Sequence, residues 1–147
     1  MDYKLLCAQL KALTEDVENV ISNLSNASAL LWQELADINW AGFYKMEGGI
    51  LVLYPFQGKP ACTKIAVGKG VCGTAVAEDR TQLVPDVHQF PGHIACDCAS
   101  NSEIVVPIHV NGEIWGVLDI DSPSFSRFDE DDQKGLENFV KILETVL

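Results

Sequence analysis

Basic side chains are scarce in this sequence of 147 residues, which has 10 lysines and arginines against 21 acidic residues and a formal net charge of −11. Binding a nucleic-acid backbone requires clusters of lysine and arginine that neutralise phosphates, and the sequence has none. Nucleic acid is therefore excluded as an expected partner. The same acidity argues against docking on an anionic membrane surface.

Long apolar runs are also missing. No stretch approaches the roughly 20 apolar residues that a bilayer-spanning helix needs. The segment Met1 to Lys4 opens an amphipathic stretch and lacks the apolar block of a signal peptide, so we expect a cytoplasmic protein. Apolar residues make up 48% of the chain, which is enough to bury a core. Because repeats, linkers and low-complexity tracts are absent, we predict one domain over residues 1–147.

The hydrophobic pattern predicts helices at both ends of the chain. Apolar residues recur at helical spacing between positions 13 and 35, with a break near Thr14. A C-terminal helix is expected from about Asp129, where acidic residues suit the positive end of the helix dipole. A short helix is expected over 71–78, and the polar segment 84–100 is typical of an irregular loop.

Two antiparallel hairpins are predicted between the terminal helices. Strand-like runs at 39–46 and 50–56 flank Gly48-Gly49, and a second pair within 103–121 flanks Asn111-Gly112. Helices at both ends of an antiparallel meander define an α+β fold.

The five cysteines need a separate explanation. Their number is odd, and four of them fall between Cys62 and Cys98. Secreted disulfide frameworks usually carry even numbers of cysteines in short, loop-rich chains. In a reducing compartment the pattern fits metal binding, redox catalysis or the simple burial of small apolar side chains.

One metal site can be drawn from the loop, where His88, His93, Cys96, Asp97 and Cys98 fall within eleven residues. Structural zinc loops usually place two cysteines two to four residues apart, and the Cys-x-Cys spacing departs from that rule. A zinc-binding module therefore stays a minor alternative.

Thiol redox chemistry is the other interpretation. Cys62, Cys72 and Cys96 are far apart in sequence, and only the fold can bring them within disulfide distance. Cys72 follows Gly68-Lys69-Gly70, at the expected start of the short helix. A helix N-terminus lowers the pKa of a thiol, so Cys72 is expected to be the low-pKa thiol unless it is only a packing residue. The glycine-rich turn lacks the remainder of a phosphate-binding loop but could present backbone N–H groups to a carboxylate.

Asp119 and Asp121 alternate along one strand and so project from the same face. They could belong to a solvated sheet face. Their strongly apolar neighbours favour a different interpretation, in which the carboxylates bind a cation such as an α-ammonium group or hold a proton. Trp40, at the start of the first strand, is either core or a wall for a thioether methyl group.

The position of Glu103 depends on the register of the second hairpin. A strict two-residue turn at Asn111-Gly112 pairs Glu103 with Ile120, on the face opposite the two aspartates. A bulge near Pro107 and Gly116 would reverse that parity. The sequence leaves both registers open.

Several blocks of the chain resemble the free methionine-(R)-sulfoxide reductase family, which is built on a GAF-type domain. The resemblance covers nearly the whole chain. The matching blocks are residues 38–44, 55–58, 68–75, 86–88, 92–97, 102–107 and 116–122.

This resemblance implies a GAF-like domain whose central antiparallel sheet has the N- and C-terminal helices packed on one side. It implies reduction of the free amino acid methionine (R)-sulfoxide by a homodimer, with no bound cofactor and no metal. Electrons would come from a thioredoxin-like reductant and its NADPH system. The competing class is a non-catalytic GAF sensor of a small molecule, which would have no need of three thiols.

The resemblance also implies roles for individual residues. Cys96 would attack the sulfoxide, Cys62 would resolve the sulfenic acid, and Cys72 would serve as an alternative resolving or relay thiol. Cys98 lies outside the family pattern. The substrate pocket would be formed by Trp40, Glu103, Asp119 and Asp121.

Overall fold

A computed structural model describes residues 1–92 and 99–147. These residues form four α-helices, a short 3-10 helix at Val87–Gln89, and six strands. The elements in chain order are α1 (Tyr3–Thr14), α2 (Val20–Glu34), β1 (Trp40–Glu47), β2 (Ile50–Gly58), β3 (Lys64–Ala66), α3 (Gly70–Glu78), β4 (Gln82–Val84), β5 (Ser102–Val110), β6 (Glu113–Ser122) and α4 (Glu130–Glu144). The described strands make one antiparallel sheet in the order β3-β2-β1-β6-β5-β4, which confirms the predicted α+β fold.

The helix boundaries follow local capping chemistry. The expected break lies where α1 ends at Thr14, and Asn19 caps α2 by accepting a hydrogen bond from the Ser22 amide. Asp129 caps α4 in a reciprocal capping box with Asp132, as the acidic run before this helix predicts. Within the described ranges, no helix has both the length and the apolar character needed to cross a membrane.

The sheet is covered differently on its two faces. Helices α1, α2 and α4 lie on one face, which we call the packed face, and bury a large apolar cluster that includes Phe43, Ile104, Leu118 and Ile120. The placement of the terminal helices on one side is therefore confirmed. The opposite face, which we call the hollow face, is covered in part by α3, and its cluster includes Trp40 and Tyr44.

A β-bulge in the second hairpin decides which side chains reach the hollow face. Next to the turn, His109 pairs with Ile114, but Ile108 pairs with Gly116, so one residue of β6 is left without a partner. Beyond this shift Glu103 pairs with Asp121, not with Ile120. The bulge that the sequence left open is thus present, one position from the expected Pro107–Gly116 pair, and it turns Glu103 toward the two aspartates.

Candidate active site

A hollow opens on the hollow face between α3, the loop after β2, and the central strands. Its empty volume is about 570 Å³ with the mouth to solvent included. Among the described residues that line the hollow, Lys69 is the one with a basic side chain. The described lining consists of Trp40, Tyr44, Pro60, Ala61, Ile65, Lys69, Gly70, Val71, Cys72, Ser100, Glu103, Asp119 and Asp121.

Three carboxyl groups meet at the floor of this hollow. Glu103 and Asp119 are buried, at 8% and 5% exposure, and Asp121 is half-buried beside them. Pairing of β5 with β6 sets Glu103 opposite Asp121, and the two-residue strand period brings Asp119 to the same side. The alternative of a solvated sheet face is therefore wrong.

The carboxyl groups shift one another's pKa values because little water reaches them. Burial raises the pKa of Glu103 well above its ordinary value, and the nearby charges of Asp119 and Asp121 raise it further. Burial also raises the pKa of Asp119, although polar contacts with Glu103, Asp121 and Cys72 partly offset that effect. Of these two groups, Glu103 more readily keeps its proton and Asp119 more readily carries charge.

The thiol of Cys72 lies against the same acidic groups. A ligand atom from each of Cys72, Glu103 and Asp119 lies within 4.8 Å of the other two. Oδ1 of Asp119 is buried with no hydrogen-bond partner among the described residues. The cluster of Cys72, Glu103 and Asp119 would suit a small cation, either an ammonium group or a metal ion.

The expectation of a low-pKa thiol at Cys72 is wrong. The residue does lie in the first turn of α3, but it is buried, and burial raises its pKa well above the ordinary value. The charges of Asp119, Glu103 and Asp121 raise it further. Burial and three carboxyl groups outweigh the helix dipole, whose effect is modest and confined to the first turn.

Trp40 forms an aromatic wall beside the acidic floor. Its ring stacks on Phe56 with centroids 5.0 Å apart and on Tyr44 at 5.9 Å. It is 2% exposed and pairs with Asp121 across the β1–β6 ladder. Trp40 was predicted to be either a core residue or a wall of the site. The two interpretations are compatible, because the ring packs in the core and also lines the hollow.

Comparison with known proteins is consistent with this geometry. A model of the GAF domain family matches residues 12–147. The free methionine-R-sulfoxide reductase of Escherichia coli (strain K12) is 55% identical over 145 residues, which cover 99% of this chain and 88% of that relative. The chain belongs to the free methionine-R-sulfoxide reductase family of GAF domains. The resemblance inferred from its sequence blocks is confirmed.

Solved structures from the free methionine-R-sulfoxide reductase family share the fold closely. The fRMsr of Staphylococcus aureus in complex with substrate matches with a TM-score of 0.95 at 57% identity, covering 99% of this chain and 95% of that one. The free methionine-R-sulfoxide reductase from Neisseria meningitidis in complex with its substrate has a TM-score of 0.95 at 42% identity, with 98% and 87% covered.

The described cysteines are in different states. Cys7 and Cys72 carry free thiols, whereas Cys62, in the loop between β2 and β3, is disulfide-bonded. Cys96 and Cys98 lie outside the described residues, as do His93 and Asp97. The role of Cys96 and the zinc alternative therefore stay predictions. His88, the described member of the zinc set, has its Nε2 2.9 Å from Oδ1 of Asn101.

Tyr44 is a lining residue that the sequence analysis does not predict, and it is the one that contacts the loop of Cys62. It lies four positions after Trp40 on β1, and strand periodicity places both on one face. Its hydroxyl donates a hydrogen bond to the carbonyl oxygen of Cys62 at 2.9 Å. That even spacing was the available signal, although the default reading of an aromatic residue in a strand is simple core packing.

Proposed function

We propose that this protein reduces free methionine (R)-sulfoxide to methionine through cysteine thiol chemistry. The observation that carries the proposal is the cluster of buried Glu103, buried Asp119 and half-buried Asp121 beside the Trp40 ring. Free methionine sulfoxide carries a cationic α-ammonium group, a sulfoxide oxygen and an apolar S-methyl group. The floor and wall of the hollow offer a partner for each.

The substrate roles follow from the protonation states. Asp119 and Asp121 hold the α-ammonium group, since ion pairs with good geometry in a poorly solvated site are strong. Glu103 keeps its proton and donates a hydrogen bond to the sulfoxide oxygen, which makes the sulfur more electrophilic. Trp40 contacts the S-methyl group, because contacts between sulfur groups and aromatic rings are favourable.

The redox sequence begins with Cys96. Its thiolate attacks the sulfoxide sulfur and forms a sulfur–sulfur bond while Glu103 protonates the oxygen. The oxygen then passes to the cysteine sulfur as its bond to the methionine sulfur and the new sulfur–sulfur bond both break, and methionine leaves with its sulfur reduced by two electrons. The enzyme keeps a sulfenic acid on Cys96. Cys62 condenses with it, forming a disulfide and releasing water. A thioredoxin-like dithiol then reduces the disulfide by exchange and leaves oxidised, so no bound cofactor is needed.

The disulfide bond of Cys62 supports a redox role for this residue, and the order of the thiols is part of the proposal. Of the other four cysteines, Cys7 and Cys72 carry free thiols, and the proposal assigns Cys96 as the partner of Cys62. The raised pKa of Cys72 makes it a poor first attacker, because the thiolate is the nucleophile. We therefore keep Cys72 as an alternative relay thiol. We also propose a homodimer acting in the cytoplasm.

An assay coupled to NADPH, thioredoxin and thioredoxin reductase tests the activity. We expect turnover of free methionine (R)-sulfoxide and little turnover of the S epimer or of N-acetylmethionine (R)-sulfoxide, whose blocked nitrogen cannot pair with Asp119 and Asp121. Cys96→Ser should release no methionine even in a single turnover, and Cys7→Ser is the matched control with a wild-type rate. Retained substrate binding without any turnover would favour the sensor alternative.

A further inference from the structure

The loop that carries Cys62 is tied to the floor of the hollow by two aromatic side chains of β1. This loop, residues 59–63, joins β2 to β3. Nε1 of Trp40 donates a hydrogen bond to the carbonyl oxygen of Lys59 at 3.1 Å, and the hydroxyl of Tyr44 donates one to the carbonyl oxygen of Cys62 at 2.9 Å. The backbone of loop 59–63 is therefore held by the two aromatic rings that line the hollow.

The hydrogen bond from Tyr44 to the Cys62 carbonyl comes from a ring that is held firmly in place. Tyr44 is 2% exposed and stacks on Trp40 with an interplanar angle of 22°, so its ring has little freedom to move. Burial raises the pKa of its hydroxyl, and the charge of Asp119 adds to the effect. The hydroxyl consequently stays protonated and remains a hydrogen-bond donor beside the acidic floor.

The structure shows this hydrogen bond with Cys62 in its disulfide-bonded state. We propose that the same bond makes Tyr44 a positioning residue for disulfide formation, which holds Cys62 where its thiol can meet a sulfenic acid formed in the hollow. This inference rests on the proposed function. In the step concerned, the Cys62 sulfur bonds to the Cys96 sulfur and the sulfur–oxygen bond of the sulfenic acid breaks. The oxygen leaves as water with the proton of the Cys62 thiol.

The physical basis is the geometric demand of joining two sulfurs. A disulfide accepts only a narrow range of Cα separations and torsions, and a small misplacement of one partner slows a reaction between held groups. Removing the Tyr44 hydroxyl leaves a half-buried carbonyl without this partner and loosens the loop at its cysteine. Losing one such hydrogen bond corresponds to a roughly two- to tenfold slower disulfide step.

Tyr44→Phe tests the inference in a single turnover without external reductant. Methionine release reports the first step, and the disulfide and a dimedone-trapped sulfenic acid, both quantified by mass spectrometry, report the second. We expect disulfide formation to slow more than methionine release, with the trapped sulfenic acid accumulating. Tyr54→Phe is the matched control, because Tyr54 bonds the exposed side chain of Glu47 at 3.0 Å, away from the hollow. It should change neither step.

The outcomes separate the inference from the proposed function. Equal slowing of both steps in Tyr44→Phe, or disulfide formation at the wild-type rate, would overturn the positioning role. A wild-type enzyme that releases no methionine would overturn the proposed function instead. In that case hydrogen peroxide can generate the sulfenic acid directly, and slower disulfide formation in Tyr44→Phe than in wild type still decides the positioning role. Far-ultraviolet circular dichroism and the Tm establish that the variant is folded.

Discussion

The two faces of the central sheet are built from the same strands and are chemically opposite. On the packed face Ile104, Leu118 and Ile120 are fully buried against helices. One residue away, Glu103 and Asp119 point to the hollow face and are almost as deeply buried. Burial alone therefore does not separate the residues that hold this fold together from those that give it a site.

The cost of burial is what separates the two faces. Removing apolar side chains from water stabilises the folded state, whereas burying a carboxyl group disfavours its charged form unless a partner compensates. The packed face contributes to stability. The hollow face keeps groups whose pKa values are perturbed, which is typical of sites that bind or transform a ligand.

Two substitutions at adjacent positions of β6, one on each face of the sheet, should differ most in their effect on stability. Ile120→Ala leaves a cavity under the helices, and we expect it to lower the free energy of unfolding by about 2–5 kcal/mol. Asp119→Asn, on the adjacent position, should leave the free energy of unfolding within about 1 kcal/mol of wild type, because it removes a poorly solvated charge. Urea unfolding monitored by tryptophan fluorescence measures both.

Activity should reverse the order of these two variants. Loss of a charge-assisted contact to the ammonium group corresponds to a roughly 10- to 100-fold lower kcat/KM for Asp119→Asn. Ile120→Ala should retain most of its activity at a temperature where it is folded. If Asp119→Asn were as unstable as Ile120→Ala and equally active, the assignment of stability to the packed face and of activity to the hollow face would be wrong.

The stability of the folded chain should depend on pH through Glu103 on the hollow face. The folded-state pKa of Glu103 lies above its unfolded value, so the folded chain holds a proton that the unfolded chain releases. The stabilisation from Glu103 is complete below the unfolded pKa of about 4.3 and is lost as the pH rises through the folded-state pKa. Glu103→Gln removes this titration.

Urea titrations at a series of pH values provide the measurement. We expect the fall in stability with rising pH to be shallower in Glu103→Gln than in wild type. Glu130→Gln is a useful control, because Glu130 is exposed in the first turn of α4. A slope for Glu103→Gln equal to that of wild type would show that Glu103 does not hold its proton in the folded state.

Local sequence chemistry was sufficient to predict most of the fold. The Asn111-Gly112 turn, the Asp129 cap and the break near Thr14 each depend on a few neighbouring residues, and all three are confirmed. The aspartate pair was recognised because alternation along a strand is also local. The reductase family was recognised from blocks spread along the chain.

Features that depend on distant residues were not predictable in the same way. The bulge that turns Glu103 toward the aspartates lies beside Gly116, where β6 packs so closely on β1 that a Cβ would lie 2.1 Å from the carbonyl oxygen of Tyr44. The pKa of Cys72 was predicted in the wrong direction because the carboxyl groups around it come from β5 and β6. Tyr44 was overlooked because its partner, the Cys62 carbonyl, lies in another part of the chain.

A substitution in the Asn111-Gly112 turn should have a small effect on stability and none on the site. Gly112 has φ +79° and open space around it, so Gly112→Ala strains the backbone without a steric clash. We expect a loss of about 1 kcal/mol in the free energy of unfolding. Activity should stay at the wild-type level, because the close strand packing at the bulge, rather than the turn, sets the face on which Glu103 lies. A loss of kcat/KM comparable to that of Asp119→Asn would instead mean that the turn controls the register of the whole hairpin.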